Sequence, residues 1–329
     1  MFIESIELSD YRNYSHLHID FHKGTNVLYG DNAQGKTNIL EAVYVCSTTK
    51  SHRGSKDKEI IRFGADESHI KMMVRRDGIP YRIDMHLKKN KAKGVAVNGV
   101  PIKKASELFG IVNVIFFSPE DLGIIKDGPE QRRRFMDMEL CQLDKAYLYY
   151  LTQYKKILKQ RNALLKQIQK NSELKDTLEI WDKQLVENGI RIIQIREQFV
   201  EEVAAIMKKK HFNLTGGLEE MEVIYKPNCK ADDFATRLFI ESERDILLGT
   251  TTVGPHRDDM QFFINGQEVK VYGSQGQKRT SALSLKMAEI EIVEKTIGEK
   301  PILLLDDVLS ELDRNRQNYL LENIKGIQT

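Results

Sequence analysis

Ten residues near the start of the chain, residues 29–38, have the types and spacing of a phosphate-binding loop. They fit the pattern G-x-x-x-x-G-K-[ST], in which the two glycines let the backbone curl so that successive N–H groups point at phosphate oxygens. The lysine would reach the β- and γ-phosphates of a nucleotide, and the threonine hydroxyl would bind Mg²⁺. The predicted nucleotide-binding residues are Gly30, Asp31, Asn32, Ala33, Gln34, Gly35, Lys36, Thr37 and Asn38.

The segments on either side of this loop favour nucleotide binding over a plain glycine turn. Residues 25–29 have the composition of a short β-strand, and residues 37–46 place Ile39, Val43 and Tyr44 on one face of a helix. A strand before the loop and a helix after it are the context in which this motif binds phosphate. The helix would also direct the positive end of its dipole at the phosphates.

Two adjacent carboxylates far along the chain match the second half of such a site. The aliphatic residues 302–305 are typical of a buried strand, and they end at Asp306 and Asp307. In the Walker B arrangement such a strand carries a carboxylate to the Mg²⁺ beside the loop. Asp306 would hold Mg²⁺ together with Thr37, and Asp307 would polarise the attacking water as general base. The predicted catalytic residues are therefore Lys36, Asp306 and Asp307; a buried strand ending in an acidic turn is the alternative.

A third candidate is the short polar segment Ser274, Gln275, Gly276 and Gln277, which precedes a helical pattern over residues 281–296. Its place upstream of the acidic pair resembles the signature loop of ATP-binding-cassette and SMC-type ATPases, and residues 310–313 resemble their D-loop. In those families the signature loop binds the γ-phosphate held by the other subunit, so that two heads enclose two ATP molecules. A small Gly/Ser loop without such a role is the alternative.

Most of the chain separates Lys36 from Asp306, which is far more than a single α/β crossover requires. Heptad spacing over residues 147–168 and 178–206, with a polar turn at residues 170–173, predicts an antiparallel helical hairpin with arms of about 40 Å. We therefore expect an ATPase head formed by residues 1–120 and 240–329, divided by a helical arm at residues 121–239. Within the head, the predicted strands are residues 2–9, 16–21, 69–75, 79–88, 94–99, 111–117, 259–264 and 268–272.

Composition limits where a nucleic acid could bind. The chain has 50 basic and 48 acidic residues, so any contact with DNA must rest on local clusters such as residues 88–93 or 132–134. A solvated surface is the default interpretation of residues 88–93, whereas residues 132–134 fit a phosphate contact and a surface cluster equally well. The three cysteines show no metal or disulfide spacing, which suits reduced thiols and predicts a cytoplasmic protein. No apolar run approaches the ~18 residues of a membrane span, so no membrane partner is expected.

Taken together, these motifs resemble the RecF family of bacterial recombination mediators, which are relatives of SMC proteins. The resemblance covers nearly the whole chain. It implies an α/β fold, namely an ABC/SMC-type P-loop ATPase head with mixed sheets and an inserted α-helical arm. The motifs that carry the resemblance are residues 11–14, 30–38, 50–53, 117–122, 254–259 and 305–313.

The resemblance implies a cofactor, Mg²⁺ with ATP, and a set of partners. It implies an ATP-dependent homodimer that binds double-stranded DNA and gapped single-strand/double-strand junctions, works with RecR and RecO to load RecA, and serves DNA repair, recombination, replication and the SOS response. Slow, DNA-stimulated hydrolysis would reset the dimer. The resemblance also makes Arg12 a phosphate contact and His52 and Arg53 candidates for the far side of the nucleotide. It further implies a final strand and switch segment, which the residues after Asp313 do not supply.

Two other protein classes share part of this pattern. A transporter cassette uses the same ATP sandwich, but it carries a Q-loop glutamine where this chain has residues 118–121 and a Walker B glutamate where it has Asp307. An SMC-like chromosome-organising protein would need arms far longer than about 40 Å. The sequence therefore favours a DNA-repair ATPase.

Overall fold

The computed structural model describes residues 1–31, 34–104 and 107–329, and the chain within it forms two units. The first unit comprises Met1–Asp121 and Glu289–Thr329, and the second comprises Leu122–Ala288. Residues 240–288, which we assigned to the head, lie in the second unit. Because this division reflects packing alone, the functional assignment of head and arm stays a prediction.

An antiparallel sheet of six strands forms much of the first unit, and its order is β2-β1-β3-β4-β5-β6. Side chains alternate between buried and exposed along its third strand, as expected for a sheet with one face on a core. Asn98 and Gly99 both have positive φ in the last hairpin, which is the geometry of a tight two-residue turn. The strands are β1 (Phe2–Tyr11), β2 (Tyr14–Asp20), β3 (Glu67–Arg76), β4 (Ile79–Lys88), β5 (Lys91–Val97) and β6 (Val100–Pro101).

A helix that begins at the phosphate-binding loop covers the buried face of this sheet. Helix α1 (Lys36–Thr48) places Ala42, Val43 and Cys46 in the same apolar core as Met72 and Met85. A short helix, α2 (Asp57–Ile60), follows it. Packing of α1 against the sheet core therefore fixes the direction of the helix that starts at the loop.

Two short parallel strands complete the first unit's described framework. Strand β7 (Val114–Phe117) is wholly buried and pairs with β11 (Ile302–Leu305). The Asp306 N–H donates to the Phe117 carbonyl at 2.9 Å, so the ladder continues to the first predicted catalytic carboxylate. Helix α11 (Arg314–Asn323) follows, capped by the Asp313 side chain.

Two predicted strands of the first unit differ from the structure. The strand predicted at residues 111–117 begins only at Val114, where pairing with β11 starts. Residues 25–29 form no strand, although their composition favours one. The Asn26 N–H instead donates to the Thr329 carbonyl at 2.7 Å, and Val27 and Tyr29 are exposed. β-propensity alone does not form a strand without a neighbouring ladder.

An antiparallel pair of long helices dominates the second unit, which confirms the predicted hairpin. Helix α5 (Lys145–Ile168) and helix α6 (Leu178–Leu214) are joined by a 3₁₀ segment at Ser172–Thr177. With 37 residues, α6 is about 55 Å long, longer than the predicted arm, because the helix continues beyond residue 206 to Leu214. It contains no proline, and it accommodates one glycine, Gly189, without a break. The other helices that lie wholly in this unit are α3 (Leu122–Lys126), α4 (Pro129–Leu143), α7 (Phe234–Ile240), α8 (Ser242–Leu248) and α9 (Val269–Tyr272).

A three-stranded antiparallel sheet, in the order β10-β9-β8, packs in the second unit. Its strands are β8 (Met221–Lys226), β9 (Asp259–Ile264) and β10 (Gln267–Glu268). The predicted strand at residues 268–272 is wrong beyond its first residue, because the ladder ends at Glu268 and α9 follows. The helix predicted at residues 281–296 starts earlier, since α10 spans Gln275–Ile297. Three of the four predicted signature residues are therefore the first turn of a helix.

Buried ion pairs hold an arginine on each of the two long helices, Arg161 on α5 and Arg196 on α6. Arg161 is fully buried and donates to Asp182 and Asp245 at 2.6 Å each. Arg196 on α6 is similarly enclosed and donates to Asp137 and Asp258. Because both guanidinium groups are paired, the two helices bury charge without leaving it uncompensated.

No helix in the described part of the chain is both long enough and apolar enough to cross a membrane.

Candidate nucleotide site

The phosphate-binding loop leads directly into α1. Gly35 precedes the first helical residue with φ 95°, and Gly30 has φ 145°, so both occupy conformations that favour glycine. The Lys36 Nζ donates to the carbonyls of Gly30 and Asp31, each at 2.7 Å. Two carbonyls of the loop therefore hold the lysine ammonium. Asn32 and Ala33 lie outside the described residues.

The turn between β1 and β2 packs against this loop and holds its shape. The Asn13 amide and the Tyr14 hydroxyl both donate to the Gln34 carbonyl at 3.1 Å, and Asn38 donates to Asn13 at 2.9 Å. A Cβ on Gly35 would lie 2.6 to 2.7 Å from Asn13 and Tyr14 side-chain atoms. The positive φ favours glycine at this position, and a Cβ there would also displace the two side chains that hold the Gln34 carbonyl. We noted residues 11–14 as a motif, but this support for the loop was not predicted.

The two halves of the predicted site meet at one hydrogen bond. The Thr37 hydroxyl donates to Asp306 Oδ1 at 2.8 Å, although 269 positions separate the residues. Strand β11 and the start of α1 bring the predicted Mg²⁺ ligands together. Asp307 has φ 55°, and its carbonyl accepts a hydrogen bond from the Ser310 hydroxyl at 2.8 Å.

A cavity of about 730 Å³ opens at this junction, within the size range of small-molecule sites. The described residues hold no cluster of three or more side chains that could bind a metal alone. Mg²⁺ in nucleotide sites needs only one or two protein ligands because phosphate oxygens and water supply the rest, so Thr37 and Asp306 fit that requirement. The polar residues lining the cavity include Lys36, Thr37, Asn38, Arg53, Asp306 and Asp307.

Arg12, the predicted phosphate contact, is engaged by a buried carboxylate in this structure. It donates to both oxygens of Glu41 on α1, at 2.8 and 2.6 Å, and to the Ser55 hydroxyl at 2.8 Å. The hydrogen bonds to Glu41 raise the pKa of Arg12. A contact between Arg12 and phosphate stays a prediction, and it requires the guanidinium to exchange partners.

Glu41 is an important residue that the sequence analysis missed. It is fully buried and also accepts hydrogen bonds from the Ser51 hydroxyl at 2.5 Å and the Tyr11 hydroxyl at 3.3 Å. Burial acts to raise the pKa of Glu41, but the hydrogen bonds from Arg12 and Ser51 outweigh it and hold that pKa below its ordinary value. The available signal was a carboxylate on the apolar face of α1, between Leu40 and Ala42.

The two candidates for the far side of the nucleotide have different surroundings. The His52 ring stacks on Phe116 with centroids 4.0 Å apart and meets Tyr44 edge-on. Arg53 lines the cavity, and its guanidinium lies 3.4 Å from the Asn38 amide oxygen. The structure therefore brings Arg53 to the loop and places His52 in aromatic packing.

The predicted signature residues form a helix cap in the second unit. The Ser274 hydroxyl accepts a hydrogen bond from the Gln277 N–H at 3.1 Å, and the Gln277 side chain accepts one from the Ser274 N–H at 2.9 Å. This reciprocal pair is a capping box at the start of α10. Ser274, Gln275 and Gly276 are exposed.

Most of the basic residues proposed for DNA contact have protein partners. Lys88 lies 3.1 Å from Glu67, Lys89 lies 3.1 Å from Asp66, and Lys93 lies 2.9 Å from Asp57. Arg132 is buried and forms a bidentate salt bridge with Asp259, so its guanidinium is not available to a phosphate backbone. Lys91 remains an exposed member of the first cluster.

Comparison with known proteins identifies close relatives. Residues 2–329 match the family model described as the RecF/RecN/SMC N terminal domain. The chain is 59% identical over 329 residues to the DNA replication and repair protein RecF of Lachnoclostridium phytofermentans, covering 100% of this chain and 91% of that protein. It is 46% identical over 341 residues to the RecF protein of Bacillus mycoides, again covering 91% of it.

Solved structures show the same fold. The structure of the recombination mediator protein RecF with ATP, from the RecFOR pathway, matches with a TM-score of 0.95 and 40% identity over 99% of this chain and 90% of that chain. An Smc head domain from Pyrococcus furiosus matches with a TM-score of 0.55 and 17% identity over 99% of this chain and 88% of that chain, which supports the fold alone. These matches confirm the predicted class of α/β head with helical arm.

Proposed function

We propose that this chain, which belongs to the RecF family of RecF/RecN/SMC proteins, is an ATP-dependent DNA-binding protein of recombinational DNA repair and replication. ATP binding drives two copies to dimerise head to head on double-stranded DNA near single-stranded gaps. Slow, DNA-stimulated hydrolysis to ADP and phosphate then releases them. The observation that carries the proposal is the 2.8 Å hydrogen bond between Thr37 and Asp306, which joins the phosphate loop to the acidic strand.

The residues of this site divide the work on the nucleotide. Lys36 exchanges its two loop carbonyls for phosphate oxygens, while Thr37 and Asp306 hold the metal. Bound Mg²⁺ supplies positive charge that offsets the charge developing during phosphoryl transfer. Asp307, displayed at positive φ directly after the metal ligand, orients and polarises the attacking water.

The signature residues act on the nucleotide of the second copy. Ser274 and Gly276 are exposed at the start of a 23-residue helix, where backbone N–H groups and the helix dipole favour an anion. The dimer therefore has two composite sites, each made from the phosphate loop of one copy and the signature residues of the other. Dimerisation depends on ATP because the γ-phosphate lies between the two copies.

Partners follow from the relatives. The matched solved protein is a recombination mediator of the RecFOR pathway, and the curated relatives serve DNA replication and repair. By this likeness we assign the chain RecR as a direct partner, with RecO and RecA acting through it, and a place at the nucleoid in the cytoplasm.

Arg12 joins the nucleotide site in the ATP-bound state.

Binding of a fluorescent ATP analogue tests the site directly. Replacing Asp306 by Asn or Thr37 by Val should weaken binding in Mg²⁺ by at least about tenfold and should change binding in EDTA much less, because each substitution removes a metal ligand. Asp20→Asn is the matched control, since Asp20 is an exposed carboxylate that contacts His18. Equal affinity of Asp306→Asn and the wild type in Mg²⁺ would refute the site.

A further inference from the structure

A chain of hydrogen bonds ties the signature residues to the end of the long helix α6. The Gln277 side-chain N–H donates to Glu219 Oε1 at 2.9 Å, and Glu219 Oε2 lies 2.9 Å from His211 Nε2. His211 is fully buried in the last turn of α6, and its other ring nitrogen lies 3.1 Å from the Ser284 hydroxyl on α10. Glu219 therefore links the helix that begins at the signature residues with the helix that forms one arm of the hairpin.

The chemistry of these groups fixes the direction of each bond. The Gln277 oxygen accepts the Ser274 N–H, so its amide nitrogen must face the carboxylate of Glu219. An ionised carboxylate only accepts, so His211 donates through Nε2. Glu219 thus accepts two hydrogen bonds at once. Turning the Gln277 amide by 180° would exchange its oxygen and nitrogen, and Gln277 would then lose its contacts with both Ser274 and Glu219. A single orientation of Gln277 results.

That orientation in turn sets the Ser274 hydroxyl. The hydroxyl oxygen already accepts the Gln277 N–H at 3.1 Å, which leaves its own hydrogen to donate away from the helix. Ser274 is exposed, while Glu219 retains 21% of its side-chain exposure and His211 retains none. The support is therefore mostly shielded from water, and the group it positions is presented to a ligand.

We propose that Glu219, held by His211, positions the signature residues for the γ-phosphate of the second copy and makes their geometry depend on the end of α6. The inference rests on the proposed function and adds two positioning residues to it. Neither residue touches the nucleotide. Through Glu219 and His211, a displacement of the C-terminal end of α6 changes the geometry of the signature residues, and hence the affinity of the two copies for each other.

The test compares Glu219→Ala with Glu220→Ala. Glu220 is the adjacent glutamate, and its side chain makes an exposed ion pair with Lys208, outside the chain of hydrogen bonds. In sedimentation velocity with ATP, Glu219→Ala should raise the dissociation constant of the dimer by at least about tenfold. A change of this size corresponds to the loss of one charge-assisted hydrogen bond. Affinity of the monomer for a fluorescent ATP analogue should stay within about twofold of wild type, and Glu220→Ala should leave both quantities unchanged.

A double-substitution cycle separates positioning from general destabilisation. If Glu219 acts through Gln277, then Glu219→Ala should have little further effect on dimerisation in a Gln277→Ala background. Glu219→Gln keeps the size and one acceptor, so it should restore part of the lost dimerisation. Additive effects of the two alanine substitutions, or wild-type dimerisation by Glu219→Ala, would overturn the inference.

Amide hydrogen exchange on the monomer gives an answer that does not require a dimer. The Gln277 N–H donates within the capping box, so Glu219→Ala should speed exchange at residues 274–278 while Glu220→Ala should not. A wild-type chain that fails to dimerise with ATP would refute the proposed function. Unchanged exchange in Glu219→Ala would refute the inference instead.

Discussion

One buried residue, Glu41, connects helix α1 to the β1–β2 turn that supports the phosphate-binding loop. Glu41 is fully buried on α1 and holds Arg12. Arg12 lies in the β1–β2 turn, which also supports the phosphate loop through Asn13. The buried charge of Glu41 is compensated by the guanidinium and two hydroxyls, which is the condition under which a buried carboxylate is tolerated. The position of the β1–β2 turn on the loop therefore depends on a carboxylate outside the motif itself.

Replacing Glu41 by Gln should destabilise the protein by about 1–3 kcal/mol at pH 7, because Arg12 loses its charged partner. The folded-state pKa of Glu41 is lowered, so its contribution to stability is complete above its ordinary pKa of about 4.5 and is lost as the pH falls through the lower folded value. Glutamine does not titrate. In urea unfolding, the gap between wild type and variant should therefore narrow below about pH 4.5; a gap that is independent of pH would contradict this.

Which residues of the site could be predicted depended on how local their signal was. Lys36, Thr37 and Asp306 stand in short motifs whose spacing reflects the backbone geometry of phosphate and metal binding. Glu41 and Glu219 act through partners 29 and 58 positions away, and no local pattern records such a contact. The ion pair of Arg132 with Asp259 was missed for the same reason, so a buried arginine was interpreted as a surface charge.

Among the elements, the helical arm was the most predictable because its heptad spacing extends over many turns. Residues 269–272 were misinterpreted as strand because Val269 and Val271 alternate as in a sheet, whereas the β9–β10 ladder ends at Glu268. Residues 25–29 were also predicted as a strand, from their β-favouring composition, but they form none because no neighbouring strand pairs with them. Short segments depend on their neighbours, which a single sequence does not reveal.

The second unit contains a titratable group enclosed between α5 and the segment before β9. The Tyr154 hydroxyl lies 2.7 Å from His256 Nδ1, and His256 Nε2 lies 3.0 Å from the Thr251 carbonyl. Burial lowers the pKa of His256 to about 4. The neutral ring is therefore the form that the folded unit accommodates.

Stability of this unit should fall as the pH drops from about 6.5 to about 4, because over this range His256 is protonated in the unfolded chain but neutral in the folded one. At this site the loss between pH 7 and pH 5 should be about 2 kcal/mol. Substitution of His256 by Asn should remove most of that slope. Urea unfolding followed through the single tryptophan, Trp181 on α6, measures it, and equal slopes in both proteins would disprove the assignment.

For the molecule as a whole, a net charge of +2 means that the proposed binding of DNA would depend on local basic groups and on the proposed dimer. Duplex affinity should fall as salt rises, and it should be stronger with ATP than with ADP. Lys91→Ala should lower the slope of affinity against salt by about one, because its ammonium is exposed. Lys88→Ala should change the slope less, since Glu67 already neutralises that charge. A salt-independent affinity would favour a protein-only or membrane-transport partner.

The most direct test of the composite site mixes two inactive variants. Lys36→Ala disables the phosphate loop, and Ser274→Arg blocks the signature residues, so neither variant alone should dimerise with ATP in sedimentation velocity. Their mixture brings one intact phosphate loop to one intact signature segment, and it should form an ATP-dependent heterodimer that is weaker than the wild-type dimer. If Ser274→Arg dimerises alone as well as wild type, or if the mixture stays monomeric while wild type dimerises, the two-copy nucleotide site is contradicted.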